Sequence, residues 1–382
     1  MRVFDALPAG RPSVYPDNFR AWLSLEAAAL AMREIASWPS YSPTPLIELS
    51  GLAQTTGVGR LVYKDEGGRF GLGSFKALGG AYAVSRVQAA RPGEELVFCC
   101  ATDGNHGRAV AWKVASLGRM CVIYLHREVS AGRERAIRAF GAEIRRVDGN
   151  YDDAVRQAAA DAAANGWILV SDTSHGGYRR IPCDVMQGYS LIAQEVLDQG
   201  FHPTHLFVQG GVGGLAAALC GHFWEVLGPE APRVIVVEPE AAACLYESAV
   251  AGRTVTVSGP LDTVMAGLAC GEVSEVAWDI LSQGAHHFVL LPDEEAMAAM
   301  RLLAAGSAGG PPLVAGESAT AGLAAFLACA ADPALRRRLQ IGDDARVLCI
   351  GTEADTDPDL YARIVGATAS DVRAGRLVGS IA

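Results

Sequence analysis

Within RFGLGSFKALGGAYAV, residues 69–84, Lys76 stands at the opening of a helical run, directly after Gly73, Ser74 and Phe75. A helix start exposes unpaired backbone N–H groups and the positive end of the dipole, a poor place for a lysine that serves only as surface charge. Free lysine holds its proton up to a pH of roughly 10. Burial and a positive helix end both push it towards the neutral amine, the form that attacks a carbonyl carbon to make a Schiff base. A lysine snorkelling from a first helical turn is the plainer account of the same residue.

Three further segments and a lone threonine carry residue types that could work with such an amine. ATDGNHGRAVAW, residues 101–112, follows the apolar run ELVFCC and opens a helix, so Thr102, Asp103, Gly104, Asn105 and His106 fall on a strand-to-helix loop. Free N–H groups there can hold a carboxylate, and the Asn105 amide can donate to an oxygen on a cofactor ring. Helix capping explains Asp103 and Asn105 equally well, and His106 serves either as a core residue or as an acid or base. In QGGVGGLAAA, residues 209–218, the backbone of Gly210, Gly211, Val212, Gly213 and Gly214 can close round a phosphate at a helix N-terminus. The same loop fits a dinucleotide fingerprint through Gly211, Gly213 and Ala216, with Glu238 placed for a ribose at the end of the next strand. Asp172, in VSDTSHGGYRRIPCDVMQGY (170–189), follows the run WILV. The carboxyl end of a parallel strand is where α/β sheets gather ligands, though Asp-Thr-Ser also makes ordinary turns. Thr352 adds a neutral hydroxyl just after the run RVLCIG.

Loops of this kind need strands that stop where helices begin, and the chain supplies them. LVYKDE precedes SFKALGGAYAVSRVQAA, ELVFCC precedes a helix over 105–117, and MCVIYL precedes GRERAIRAF. The alternation continues through EIRRV (143–147), a helix from Tyr151, WILV (167–170), a helix over 183–199, THLFVQ (204–209), a helix from about Gly213 and RVIVVEP (233–239). Helices from Asp293 and Ser318 and the strand RVLCIG (346–351) close the pattern, with AGSAGGPP (305–312) as a loop. The spacing predicts an α/β fold of open, twisted, mostly parallel sheets flanked by helices on both faces.

Composition narrows the function classes. With 32 basic and 42 acidic side chains the formal charge is −10, and no basic cluster interrupts it, so a nucleic-acid surface has no electrostatic basis. No stretch is long and uncharged enough to span a bilayer, and the N-terminus lacks the layout of a signal peptide, which together predict a cytoplasmic protein. Nine scattered cysteines without a CxxC pair read as small buried hydrophobes in a reducing compartment. HPTH (202–205) reads as a loop rather than a zinc ligand pair, and no metal is expected.

A lysine in SFK, an asparagine in DGNHG, a GGVGG loop after a strand and a threonine after the last strand, in that order, together resemble the tryptophan-synthase-type (fold type II) pyridoxal-phosphate enzymes. The wording SFKALGGAYAV, ATDGNHGRAVAW, SDTSHGGYRRIPCDVMQGY and GTEADTD is most similar to the diaminopropionate ammonia-lyase family, because dehydratases of this fold carry a small residue where this chain has Asp103. The resemblance, over roughly residues 40–367, implies that Phe75 and Lys76 meet the cofactor and that Lys76 binds it covalently. Asn105 would contact the ring hydroxyl, Gly210 to Gly214 the phosphate, and Thr352 the ring nitrogen. Thr102, Asp103, Gly104 and His106 would receive the substrate, with Asp103 and Asp172 as an acidic pair. It further implies a large domain (1–85 and 191–382), a small inserted domain (86–190) and a homodimer. The implied reaction is α,β-elimination of D- or L-2,3-diaminopropionate to pyruvate and ammonia. The alternatives are a serine or threonine dehydratase or a β-replacement synthase of the same fold, and, remotely, a nicotinamide (NAD-dependent) dehydrogenase.

Overall fold

The apolar runs pair into two sheets in a computed structural model, which describes residues 1–7, 10–102 and 104–376. In chain order the strands are β1 (Arg2–Asp5), β2 (Leu46–Glu48), β3 (Arg60–Asp65), β4 (Val97–Ala101), β5 (Met120–His126), β6 (Glu143–Val147), β7 (Ile168–Leu169), β8 (His205–Gln209), β9 (Arg233–Pro239), β10 (His287–Leu291) and β11 (Arg346–Gly351). The large sheet has the order β1-β10-β9-β8-β11-β3-β2, and β4 to β7 form a second sheet of order β6-β5-β4-β7. All pairings in the second sheet are parallel, as are those of the large sheet apart from its edges, where β1 and β2 run antiparallel to their neighbours. The expected mostly parallel architecture is thus the observed one.

Every residue of β8 and β10 is buried, as is all of β9 after Arg233. Such strands can form only where helices cover both faces of a sheet, which is why they read as continuous apolar runs. Helix Arg180–Asp198 packs against helix Gly214–Leu227 and against the turn that follows Lys76. Its start differs from the expected one because Pro182 lies in the first helical turn, where a missing N–H removes no intrahelical bond. The segment after Lys76 is also not one plain helix: a π-helical turn, Ala77–Ala81, leads into helix Tyr82–Ala90. Strands β1, β2 and β10 were not expected. Two of them are short edges of three and four residues that show no periodicity of their own, and HFVLL of β10 is too short a run to separate strand from helix by pattern.

Register decides what the sheets present. Gly351 of β11 stands opposite Asp65 of β3, and Gln209 of β8 opposite Val237 of β9, so the carboxyl ends of these strands lie along one border. The segments bearing Lys76, the glycine loop and Thr352 leave the sheet there. In the second sheet the chain leaves β4 at Thr102 and β7 at Val170, towards Asp172. Among the described residues, no helix is long and apolar enough to cross a membrane.

Candidate active site

One cavity between the two sheets is lined by Phe75, Lys76, Thr102, Gly104, Asn105 and His106, and also by Asp172, Gly210, Gly211, Val212, Gly214 and Thr352. Gly213 lies in the same loop, directly before helix Gly214–Leu227. Asp103 lies outside the described residues.

At its centre Lys76 Nζ donates to Asp172 Oδ2 over 2.7 Å. Burial pushes the lysine towards neutrality, as the sequence suggested, but the carboxylate beside it more than reverses that and holds the amine charged, above the ordinary lysine value. Asp172 responds in kind: burial pulls its carboxyl upward, yet Lys76 holds it ionised, well below the usual carboxylate range. The expectation of a neutral Lys76 amine therefore fails for this arrangement, because a charge at hydrogen-bond distance outweighs desolvation. Lys76 Nζ also lies 5.4 Å from the centre of the Phe75 ring.

The loop after β4 is held by Thr102 rather than by Asn105, which capping preference favours. Thr102 Oγ1 accepts from the N–H groups of Gly104 (2.9 Å) and Gly107 (3.0 Å), and so caps the Asn105–Ser116 helix. Asn105 is thereby free for other work: its Nδ2 donates to Glu353 Oε2 over 2.5 Å, leaving one N–H for a ligand. His106 Nε2 meets the Val170 carbonyl at 2.9 Å, so that nitrogen carries the proton, and burial lowers the pKa of the ring.

The glycine loop is shaped for close approach. Gly213 has φ +99°, where a side chain is strained. A Cβ on Gly210 would meet Glu238 Cγ at 2.7 Å. Glu238 itself is 1% exposed and accepts from the backbone N–H groups of Leu245 (2.9 Å) and Tyr246 (2.7 Å), capping helix Cys244–Ala251. It is committed to that cap and not available to a ribose, so the dinucleotide reading loses its acid.

Of the lining residues that sequence reasoning missed, four polar ones bear on the chemistry. Glu353 orients Asn105, as above, and accepts from Thr356 Oγ1 at 2.9 Å. Gln209 Nε2 reaches the carbonyls of Ser318, Ala319 and Ile350 at 2.8–3.0 Å, tying the glycine loop to the end of β11. Arg133 pairs with Glu317 at 2.8 Å across the two sheets. The fourth is Tyr189. Neither Gln before Gly-Gly nor Glu after Thr352 carries a signal by itself, since both types are ordinarily solvated.

Comparison with known proteins places this geometry. The family described as pyridoxal-phosphate dependent enzyme matches residues 38–353. The chain belongs to that family. This pyridoxal-phosphate enzyme is 39% identical over 365 residues to diaminopropionate ammonia-lyase of Escherichia coli (strain K12), covering 90% of this chain and 92% of that protein. The crystal structure of selenomethionine-incorporated holo diaminopropionate ammonia lyase from Escherichia coli superposes with TM-score 0.89 at 37% identity, covering 95% of this chain and 96% of that one. The Escherichia coli enzyme in complex with D-serine gives TM-score 0.88 at the same identity and coverage. The fold is that of the fold type II members of the family.

The residues present fit the cofactor of the family. Pyridoxal phosphate brings an aldehyde, a ring hydroxyl oxygen, a ring nitrogen and a phosphate. The cavity offers an amine at Lys76, an amide N–H at Asn105, a neutral hydroxyl at Thr352 and glycine backbone at a helix N-terminus.

Glu238 also yields a prediction about stability. Burial pushes its carboxyl up to about 8, from an ordinary 4.5. Between those values the folded protein holds a proton that the unfolded chain has released. Its contribution is therefore full below pH 4.5 and is lost as pH rises through 8, at up to about 1.4 kcal/mol per unit. Urea unfolding from pH 5 to 8 should show this fall, and Glu238→Gln should flatten it; an equal slope in both proteins would refute the assignment.

Proposed function

We propose that this enzyme catalyses α,β-elimination of 2,3-diaminopropionate, releasing ammonia and leaving a three-carbon product that hydrolyses to pyruvate and a second ammonia. The observation that carries this reading is the Lys76–Asp172 pair at 2.7 Å in a cavity that also presents the glycine loop and Asn105. The likeness to diaminopropionate ammonia-lyase over nine-tenths of the chain supports the same substrate class.

Each residue has a physical task in this reading. The amides of the Thr102–His106 loop hold the substrate carboxylate at a helix N-terminus. Asp172, ionised and buried, attracts the cationic β-ammonium, which can leave only as neutral ammonia. Lys76, displaced from the cofactor by the substrate's own amine, would be freed as a neutral amine, and with Asp172 turned to the β-ammonium it can take the Cα proton from one face. Asp103 serves as the base at the other face, so both D and L isomers are accepted. Gly210 to Gly214 grip the phosphate, the free N–H of Asn105 meets the ring hydroxyl oxygen, and Thr352 faces the ring nitrogen. Pyridoxal phosphate supplies the electron sink that stabilises charge left at Cα. A hydroxyl at Thr352, rather than an acid, leaves the ring nitrogen largely unprotonated and favours elimination.

We place the boundaries of the small inserted domain at 86 and 190, with helix Arg180–Asp198 spanning the second, and the enzyme as a homodimer in the cytoplasm. The dimer is checked by sedimentation of the purified protein.

A panel of D and L β-substituted alanines and threonine, read for the 2-oxo acid and ammonia, tests the function: turnover should be fastest with diaminopropionate, and faster turnover of serine or threonine would make the enzyme a dehydratase. Consumption of an added nucleophile with little pyruvate would indicate β-replacement. In the same assay Asp103→Asn should lose D-isomer turnover by about 10²-fold or more while keeping most L-isomer turnover. Equal retention on both isomers would remove Asp103 from the mechanism.

A further inference from the structure

Tyr189 lies on helix Arg180–Asp198, where a mid-helix aromatic ordinarily just fills the core. Its ring is 1% exposed and packs 4.7 Å from the Phe75 ring, the ring over which Lys76 Nζ lies at 5.4 Å. The side chain lines the same cavity as Lys76 and Asp172. Among the described residues its hydroxyl is buried and makes no hydrogen bond of full geometry, with Lys76 near enough to act on it as a donor. A phenol that merely packed would lose nothing by being phenylalanine, whereas a buried O–H without a full hydrogen bond has a desolvation cost to explain.

Two glycines seat this ring. A Cβ on Gly79, in the π-helical turn after Lys76, would lie 2.5 Å from the Tyr189 ring. One on Gly188 would collide with the Leu78 carbonyl oxygen, so the helix carrying Tyr189 reaches the Lys76 turn only because Gly188 has no side chain. The electrostatics agree with the packing: burial raises the phenol's pKa most, Asp172 raises it further, and the Lys76 ammonium draws it down. Tyr189 therefore stays a neutral hydroxyl that feels both members of the pair.

We propose that Tyr189 is a positioning residue for Lys76: its oxygen accepts an N–H from the amine once Asp172 has turned to the substrate's β-ammonium. One amine hydrogen fixed on that oxygen leaves the nitrogen lone pair aimed at Cα. When the Cα proton moves to Nζ, the new ammonium keeps the phenol oxygen as an acceptor, and the electron pair of the broken C–H bond stays with the substrate. This role rests on the reading of Lys76 as the cofactor lysine and base.

The test is Tyr189→Phe in the full-length enzyme. Melting temperature should be unchanged or slightly raised, since a hydroxyl without a full hydrogen bond is removed. The value of kcat for diaminopropionate should fall about 10- to 100-fold with KM within about twofold. On protein stripped of cofactor, where no β-ammonium draws Asp172 away from Lys76, stopped-flow capture of added pyridoxal phosphate should keep the parent's rate, so that only the step after substrate binds is slowed. A folded Tyr189→Phe enzyme with unaltered kcat overturns the proposal, and so does a capture rate that falls in step with kcat, which would mark a general loss of the site. Lys76→Ala, run alongside, separates the two readings: if it too keeps its activity, the assignment of Lys76 has failed, not only that of Tyr189.

Discussion

Replacing Lys76 by alanine should abolish the absorbance of covalently bound cofactor and lower turnover by at least about 10³-fold, roughly 4 kcal/mol of barrier. Two contributions vanish together, since the amine both anchors the cofactor and moves the Cα proton, and effects of groups that act as a unit do not add. The alanine variant alone is ambiguous, because it leaves the Asp172 carboxylate buried without the cation that now sits 2.7 Å away. Lys76→Arg resolves this. A guanidinium keeps the charge beside Asp172 and so keeps the fold, but it does not deprotonate and cannot form a Schiff base. The arginine variant should melt close to the parent protein and be as inactive as alanine. Turnover within tenfold of the parent in either variant would refute the role of Lys76.

The second large effect is on stability and comes from a cluster of four charges buried beneath the site. Lys64 and Arg69 face Glu66 and Glu195, all at most 3% exposed. Lys64 Nζ lies 2.7 Å from Glu195 Oε2, Arg69 Nη1 lies 2.8 Å from Glu195 Oε1, and Arg69 Nη2 lies 2.8 Å from Glu66 Oε1. Thr44 N–H and Tyr41 O–H donate to the remaining Glu195 lone pairs, each over 3.1 Å. Burial pushes the Glu195 carboxyl upward, but Arg69 and Lys64 together hold it below its ordinary value. Two positive and two negative groups balance, so the cluster is tolerable only while its charges stay matched.

Glu195→Ala should therefore cost about 3–5 kcal/mol, the penalty of leaving an uncompensated buried charge. The midpoint of urea unfolding reads it directly, and a loss under about 1 kcal/mol would show that water reaches the cluster. The double variant Lys64→Met/Glu195→Leu should recover much of the loss, because it removes one charge of each sign and leaves Arg69 with Glu66. Activity should suffer as well in the single variant. The cluster joins β3, which leads to Lys76, to helix Arg180–Asp198, which carries Tyr189.

The local elements were legible where the pattern was strong. Near-continuous apolar runs such as HLFVQ and RVIVVEP, alternating with longer helical patterns, read as strands covered on both faces, and glycine before a small-residue helix reads as backbone brought close to a ligand. Chain order of SFK, DGNHG, GGVGG and GT then pointed to one cofactor through resemblance to the fold type II pyridoxal-phosphate enzymes, while residue types alone left the owner of the phosphate loop open. All of this depends on residue type and spacing along the chain. What depends on distance through space was hidden. The charge of Lys76 turned on a carboxylate 96 positions away. The cap of the Asn105 helix fell to Thr102, and Glu238 proved committed to a helix end. Glu195 and Tyr189 stand six residues apart on one helix, where sequence reads the first as a solvated charge and the second as plain core. Only the packing of that helix against β3 and the Lys76 turn makes one the centre of a buried ion cluster and the other a hydroxyl facing the amine. Pattern along a chain reports which side of an element is buried, whereas the identity of the group it is buried against exists only once the sheets have come together.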